Sequence, residues 1–357
     1  MEKKSKIYIA GHMGLVGSAI LNSLSAKGYA NLVFRTHSEL DLKNPEQVRD
    51  FFNKEKPEYV ILAAAKVGGI AANSNYRAEF IYDNLMIQSN VIHQSYLSGV
   101  RKLLFLGSTC IYPKNTLQPI KENSLLSSSL EYTNEPYAIA KIAGIKMCES
   151  YNLQYGTNFI CVMPTNLYGP NDNFDLEMSH VLPALLRKVY LGKCIANDNW
   201  EEIKKDLNKN SIEGVNGSAS QKAILDILLK YGIAKEQIEI WGSGKPRREF
   251  LWSEDMADAC LFLLEKLDFK DTFTLGEKEI RNTHINIGTG LDISIKELAE
   301  KISHIVGYHG EFNFNLSKPD GAMHKLTDVS KLHQLGWRHQ INLHDGIKKL
   351  LSCYLNK

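Results

Sequence analysis

The chain has 357 residues, 44% of them hydrophobic and 23% charged, enough for one large or two modest domains with a sizeable core. A formal net charge of +2 gives none of the basic field that holds nucleic acid non-specifically, so no nucleic-acid partner is expected. No apolar run approaches the ~20 residues of a membrane span, and residues 1–6 lead straight into a strand without a secretory apolar core, so a cytoplasmic protein with no membrane partner is expected. The six cysteines, Cys110, Cys148, Cys161, Cys194, Cys260 and Cys353, form no CxxC pair, which suggests neither a metal site nor a disulfide framework.

Residues 6–10 (KIYIA) read as a short buried strand that runs into 11–20 (GHMGLVGSAI). Strand, glycines and amphipathic helix in that order form a dinucleotide-binding turn. Gly11 permits the tight turn, Gly14 lets a pyrophosphate approach the backbone at the positive helix end, and Gly17 lets the helix pack closely. The spacing is GxxGxxG rather than GxGxxG. A second strand, 31–34, ends at Arg35-Thr36-His37, where an acidic residue would hold the ribose hydroxyls of NAD. A basic residue favours a 2′-phosphate, so NADPH is the expected cofactor, the alternative being that Arg35 is a solvated loop charge. Asp41 falls further on, where it would edge the adenine.

An apolar strand at 57–65 enters the small-residue loop 66–70 (KVGGI), and a long helix runs through 84–96. A further strand, 102–107, ends in Ser108-Thr109-Cys110. Strands alternating with helices at this rhythm predict an α/β fold with a Rossmann-type doubly wound parallel sheet, ligands lying outside the carboxyl ends of the strands. Tyr137 and Lys141, four apart, leave the same face of a helix. A phenol titrates near 10, and a neighbouring ammonium favours the phenolate, which suits proton exchange with a carbonyl or alcohol oxygen. The pattern alone equally describes a core aromatic beside an exposed lysine. Ser108 at the mouth of the same sheet adds a donor for a substrate carbonyl.

Residues 192–236 read as an insertion, polar at 204–210, with a helix capped by Ser218 and Gln221 as a capping box. Ile224, Ile227, Leu228 and Tyr231 form its apolar stripe, expected to pack on the substrate domain. The helix 255–267 returns to the nucleotide domain, 284–290 is a strand with a glycine-rich end, Ser294 caps a helix at 295–306, and a last helix spans 344–355.

The stretches AGHMGLVGSAI, AAAKVGGI, LLFLGSTCIYPK, NEPYAIAKIAGIK, MPTNLYGPNDNF, SHVLPALLRK, WGSGKPRREFLW and SKPDG give nearly the whole chain a resemblance to the extended short-chain dehydrogenases/reductases. Within that family the chain resembles the GDP-L-fucose synthases, NADPH-dependent 3,5-epimerases and 4-reductases of GDP-4-keto-6-deoxy-D-mannose. The resemblance implies reduction by Ser108, Tyr137 and Lys141, and epimerisation by Cys110 and His180. It places the cofactor on Gly11, His12, Met13, Gly14, Leu15, Val16, Gly17, Arg35, His37, Asp41, Leu106, Gly107, Lys141, Pro164, Asn166, Leu167 and His180. The nucleotide sugar falls to Lys188, Trp241, Arg248, Asp320 and Lys325, and a homodimer formed through helices including that of Tyr137 is implied.

The domains expected are a nucleotide-binding part at 1–170 with a returning segment at 242–275, and a smaller C-terminal α/β substrate domain made mainly of 171–241 and 276–357. Met13 and His37 stand where the resemblance leads one to expect arginines, and 321–325 (GAMHK) lacks an expected arginine before its lysine. Two alternatives follow: the same chemistry on a GDP-4-keto-6-deoxy-heptose, and an NAD-dependent 4,6-dehydratase. The dehydratase is disfavoured because Thr109 and Cys110 follow Ser108 where acidic residues are expected.

Overall fold

The computed structural model describes residues 1–274, 276–318 and 320–356; Pro319 of the SKPDG stretch lies outside them. In chain order the elements are β1 (Ile7–Ala10), α1 (Leu15–Ala26), β2 (Leu32–Val33), α2 (Pro45–Glu55), β3 (Tyr59–Leu62), α3 (Ile70–Asn75), α4 (Arg77–Leu97), β4 (Lys102–Leu106), α5 (Glu135–Tyr155), β5 (Phe159–Pro164) and β6 (Asn166–Tyr168). Then follow α6 (Val181–Ala196), α7 (Trp200–Lys209), α8 (Gln221–Lys230), β7 (Gln237–Trp241), β8 (Arg247–Trp252), α9 (Ser253–Lys266), β9 (Ile285–Ile287) and β10 (Asp292–Ser294). The chain closes with α10 (Ile295–Val306), β11 (Glu311–Asn315), β12 (His324–Lys325), α11 (Ser330–Gln334) and α12 (Leu343–Asn356). Among the described residues no helix is long and apolar enough to cross a membrane.

Two units emerge. The first comprises Met1–Asn171, Glu249–Leu291 and Leu326–Ile341. Its six-stranded parallel sheet has the order β2-β1-β3-β4-β5-β9. Successive side chains alternate between two cores, as the pleat requires. Ile7, Ile9, Ile61, Leu104, Leu106, Ile160, Val162, Ile285 and Ile287 enter one with α1 and α9. Tyr8, Ala10, Val60, Leu62, Leu103, Phe105, Phe159, Cys161 and Met163 enter the other with α2, α4 and α5. Both faces are covered, which explains why these strands read as unbroken apolar runs. The strand order reverses between β1 and β3, so the loops following these two strands diverge and leave a crevice at their carboxyl ends.

The second unit comprises Asp172–Arg248, Asp292–Lys325 and Asn342–Lys357. Here β7 and β11 pair in parallel, and β12 pairs with the start of β8. The fully buried Arg187 of α6 donates to Asp206 of α7 at 2.8 and 3.0 Å, and Tyr354 of α12 hydrogen-bonds the same carboxylate.

The polar segment 204–210 is helical as far as Lys209, in α7, which buries Ile203, Asp206 and Leu207. Two sequence expectations change. The cap of α8 is Ser220, whose hydroxyl accepts from Ala223 N; Ser218 instead donates through its N–H and hydroxyl to Asn216 Oδ1. The return to the first unit begins at Glu249 rather than 242, and β9 together with 326–341 belongs to that unit, because Ile285 and Ile287 complete the sheet edge beside β5 while Leu332 and Trp337 enter its core. The stripe of α8 is buried at Ile224, Ile227 and Leu228, whereas Tyr231 turns its hydroxyl to Glu177 and Glu213.

Candidate active site

The glycine turn follows β1. Gly11 has φ +86°, and a Cβ there would lie 2.7 Å from Ala64 N, so the turn requires glycine. A Cβ on Gly17 would fall 2.0 Å from Gly11 O, so α1 can approach its own turn only without a side chain. Gly14, the N-cap of α1, differs: a Cβ would meet nothing nearer than Gly11 O at 3.5 Å. Its space is open, and the first turn of α1 carries no acidic residue. Free backbone donors at a helix N-terminus form a cradle that fits a pyrophosphate. Around it, His12 stacks near Phe34 at 4.6 Å between centroids, and Met13 is exposed.

Arg35 is more committed than its sequence position suggests. Its Nη2 donates to Glu55 at 2.6 Å and its Nη1 to the Phe34 carbonyl at 2.7 Å, so a 2′-phosphate would have to share or displace Glu55. His37 is exposed and lies 3.8 Å from Asp41. The carboxyl end of β4 is fixed by Gly107 N donating to Val162 O at 2.8 Å. At the end of β5, Thr165 N donates to Ile287 O at 2.9 Å and Asn166 Nδ2 to Glu249 O at 2.8 Å, which sets the path of Pro164, Asn166 and Leu167.

Ser108, Cys110, Tyr137 and Lys141 are brought together in the first unit. A short 3-10 turn, Thr109–Ile111, starts at Ser108, whose Oγ accepts from Cys110 N at 3.4 Å. Pro136 sits in the first turn of α5, where its missing N–H costs nothing, and the next residue, Tyr137, hydrogen-bonds Ser108 and interacts electrostatically with Cys110. Burial pushes the Tyr137 phenol up, only partly opposed by Ser108. Burial also pushes the Lys141 ammonium down to about 8. Lys141 Nζ donates to the Leu106 carbonyl at 2.8 Å and stands 5.8 Å from the Tyr137 ring centroid. Burial thus moves the phenol opposite to the direction expected from an adjacent ammonium, toward the protonated, donating form. A carbonyl being reduced needs that form.

In the second unit His180 is the exposed N-cap of α6, so the expected Cys110–His180 pair is divided between the two units. Lys188, buried on α6, donates to Glu239 O at 3.1 Å, and burial pushes its ammonium down to about 8. Trp241 ends β7 with its ring exposed, and Lys318 Nζ lies 5.0 Å over it. Asp320 accepts from Ser243 N at 2.8 Å and Ser243 Oγ at 2.7 Å. Its charge offsets part of the desolvation that lowers Arg248. Lys325 is the register partner of Arg248 between β12 and β8. Trp241, Arg248, Asp320 and Lys325 thus gather around the end of β7 and the start of β8. Lys318 and Ser243 join them without having been singled out from sequence; the signal available was their place beside Asp320 and Trp241.

A glycine turn at the crevice of a doubly wound sheet, with Ser-Tyr-Lys converging at the next strand ends, defines a nucleotide-cofactor oxidoreductase of the extended short-chain class. The chain belongs to the NAD dependent epimerase/dehydratase family, whose family model matches residues 7–208 and 211–288. It is 48% identical to GDP-L-fucose synthase 1 of Arabidopsis thaliana over 99% of this chain and 94% of that protein. Among solved structures it is 49% identical to a GDP-6-OMe-4-keto-L-xylo-heptose reductase from Campylobacter jejuni, with a TM-score of 0.93 over 100% of this chain and 99% of that one. A GDP-D-glycero-L-gluco-heptose synthase from the same organism, solved in the presence of NADPH, is 48% identical with a TM-score of 0.88, over 100% and 99% of the chains.

Proposed function

We propose that the protein is an NADPH-dependent 4-reductase and 3,5-epimerase of a GDP-4-keto-6-deoxy sugar, converting GDP-4-keto-6-deoxy-D-mannose to GDP-L-fucose. The observation that carries this reading is the meeting of Ser108, Cys110, Tyr137 and Lys141 at the strand ends, in a chain 48% identical to a GDP-L-fucose synthase along almost its entire length. The residues of the glycine turn, with the ends of β4 and β5, would hold NADPH. When bound, that cofactor supplies hydride to C4 of the sugar.

Tyr137 delivers the proton to the C4 oxygen, so one hydride and one proton convert ketone to alcohol. Ser108 donates a hydrogen bond to the same oxygen, and Lys141 holds α5 to the end of β4 while returning positive charge to the phenol as it ionises. Before reduction, the keto group acidifies the proton at C3 and, through the enol, the configuration at C5 can change. Cys110 and His180 exchange these protons on opposite faces; desolvation holds the His180 imidazole below its ordinary value of about 6.5, so it is neutral and able to accept a proton near neutrality. Arg248 and Lys188 take the diphosphate, arginine by its fork, while Trp241 offers a stacking face and Asp320 and Lys325 complete the site.

A second reading, the same chemistry on a GDP-4-keto-6-deoxy-heptose, is favoured by the likeness to the Campylobacter heptose reductase. Incubation with NADPH in deuterated water separates the readings: deuterium at C3 and C5 with NADPH consumption is expected, and the faster of hexose and heptose substrate identifies the sugar. Reduction without exchange would remove Cys110 and His180 from the mechanism. The protein acts in the cytoplasm as a homodimer; α4 and α5 expose Tyr82, Leu97, Ile139, Leu153 and Tyr155, and a monomer by sedimentation would refute that assembly.

A further inference from the structure

The adenosine end of the crevice lies where β2 stops, and the glycine turn meets it there: the His12 ring sits 4.6 Å from that of Phe34. The permanent cations near this end are drawn elsewhere. Arg35 donates to Glu55 of α2 at 2.6 Å, Lys6 lies 3.5 Å from the same carboxylate, and Lys43 lies 3.7 Å from Asp83 of α4. Glu39 is engaged by Thr36, whose N–H and hydroxyl donate to it at 2.7 and 2.8 Å. Those bonds, with smaller help from the charges of Arg35 and His12, hold its carboxyl below the ordinary range.

What the loop presents to solvent is a pair of unlike groups. The His37 side chain is 78% exposed, and its Nδ1 lies 3.8 Å from Asp41 Oδ1. Asp41 is fixed by its neighbours: its N–H donates to Gln47 Oε1 of α2 at 3.0 Å, and its Oδ1 accepts from Lys43 N at 3.0 Å. Its side chain is still 36% exposed, so carboxylate remains for a donor from outside. A ribose 2′-hydroxyl, as in NADH, is such a donor. A 2′-phosphate, as in NADPH, carries nearly two negative charges and needs cations instead. Arg35 serves it only in competition with Glu55. The remaining attraction falls to the imidazoles of His37 and His12, the cations here whose charge a working pH can remove. The His12 Nδ1 is buried, whereas His37 stands in solvent beside Asp41.

We propose that one site serves both dinucleotides, Asp41 accepting from the ribose hydroxyl of NADH and His37 attracting the 2′-phosphate of NADPH, so that the preference for NADPH fades as pH rises. The inference deepens the assignment of the glycine turn to the cofactor and rests on it, not on the identity of the sugar. With His37 protonated, its charge offsets Asp41 and Glu39 and favours a phosphate. With His37 neutral, those carboxylates repel a dianion yet still accept from a hydroxyl. The reduction balances identically with either dinucleotide, one hydride and one proton per ketone.

Isothermal titration of the full chain with NADP+ and with NAD+, without sugar, tests this between pH 6.5 and 8.5, a window above the second phosphate ionisation near about 6. The ratio of the NAD+ Kd to the NADP+ Kd should fall about fivefold across it, the scale of an exposed ion pair. In His37→Arg the ratio should be high and flat with pH, and in His37→Gln low and flat. Asp41→Asn should weaken NAD+ about fivefold and leave NADP+ equal or tighter. NAD+ binding more than about 100-fold weaker than NADP+ at every pH overturns the dual site. A slope that survives in His37→Gln overturns the role of His37, and equal weakening of both dinucleotides in Asp41→Asn overturns that of Asp41. If neither dinucleotide binds the wild-type protein, the cofactor assignment fails and this inference falls with it. If both bind as described and no keto sugar is reduced, the proposed function fails and this inference stands.

Discussion

The Lys141 ammonium hydrogen-bonds the Leu106 carbonyl at 2.8 Å, tying the helix that bears Tyr137 to the end of the strand that precedes Ser108. Because burial pushes this lysine down to about 8 from 10.5, it titrates near the working range. In the unfolded chain it keeps its proton up to about 10.5, so between the two values the unfolded state binds more protons and the contribution of this group to stability rises with pH. Activity runs the opposite way. The kcat for NADPH oxidation should fall as pH rises through about 8, where the ammonium is lost. Lys141→Met should lower kcat about 100-fold and reduce the alkaline rise in stability measured by urea titration; an unchanged pH–rate profile in Lys141→Arg would place the titration elsewhere.

Gly14 and Gly17 look alike in sequence but differ in what surrounds them. Gly14→Ala meets only Gly11 O at 3.5 Å, so its melting temperature should stay close to wild type while KM for NADPH rises about tenfold through the lost pyrophosphate approach. In Gly17→Ala the new methyl would press on Gly11 O at 2.0 Å, costing about 1–3 kcal/mol as overpacking does. Thermal denaturation combined with NADPH titration distinguishes the two; equal stability losses would show that the turn adapts.

Glu249 is fully buried, and it accepts from Thr289 N at 2.6 Å, Gly290 N at 2.7 Å and Thr327 N at 3.0 Å. Its backbone carbonyl takes Asn166 Nδ2. Glu249→Gln turns an amide donor toward some of these N–H groups, so a loss of about 2–4 kcal/mol is expected by chemical denaturation. The loss should come with a raised KM for NADPH, since the path of Asn166 loosens. A neutral effect would mean that the carboxylate charge is dispensable.

The start of α8 offers a small, clean comparison. Ser220→Ala removes the hydroxyl that accepts from Ala223 N and should cost about 1 kcal/mol. Ser218→Ala removes only a bond to Asn216 and should cost less than about 0.5 kcal/mol, in the range of ordinary surface changes. The reverse order in urea denaturation would move the helix start back to Ser218.

Local rules carried much of this protein. The glycine turn, the buried strands, the YxxxK helix and the Ser294 cap with Glu297 as its partner are each written within a few residues, because strand alternation, helical spacing and capping act over that distance. The nature and chain order of most first-unit strands were legible for that reason. Tertiary structure decided what spacing cannot encode. It set β9 beside β5, turned Arg35 onto Glu55 and gave Lys141 to the Leu106 carbonyl. It also joined Tyr112 to His284 and Asn286 across more than 170 residues of chain. A buried polar group must find a partner wherever the fold brings one, and only the packed chain fixes which distant residue that is.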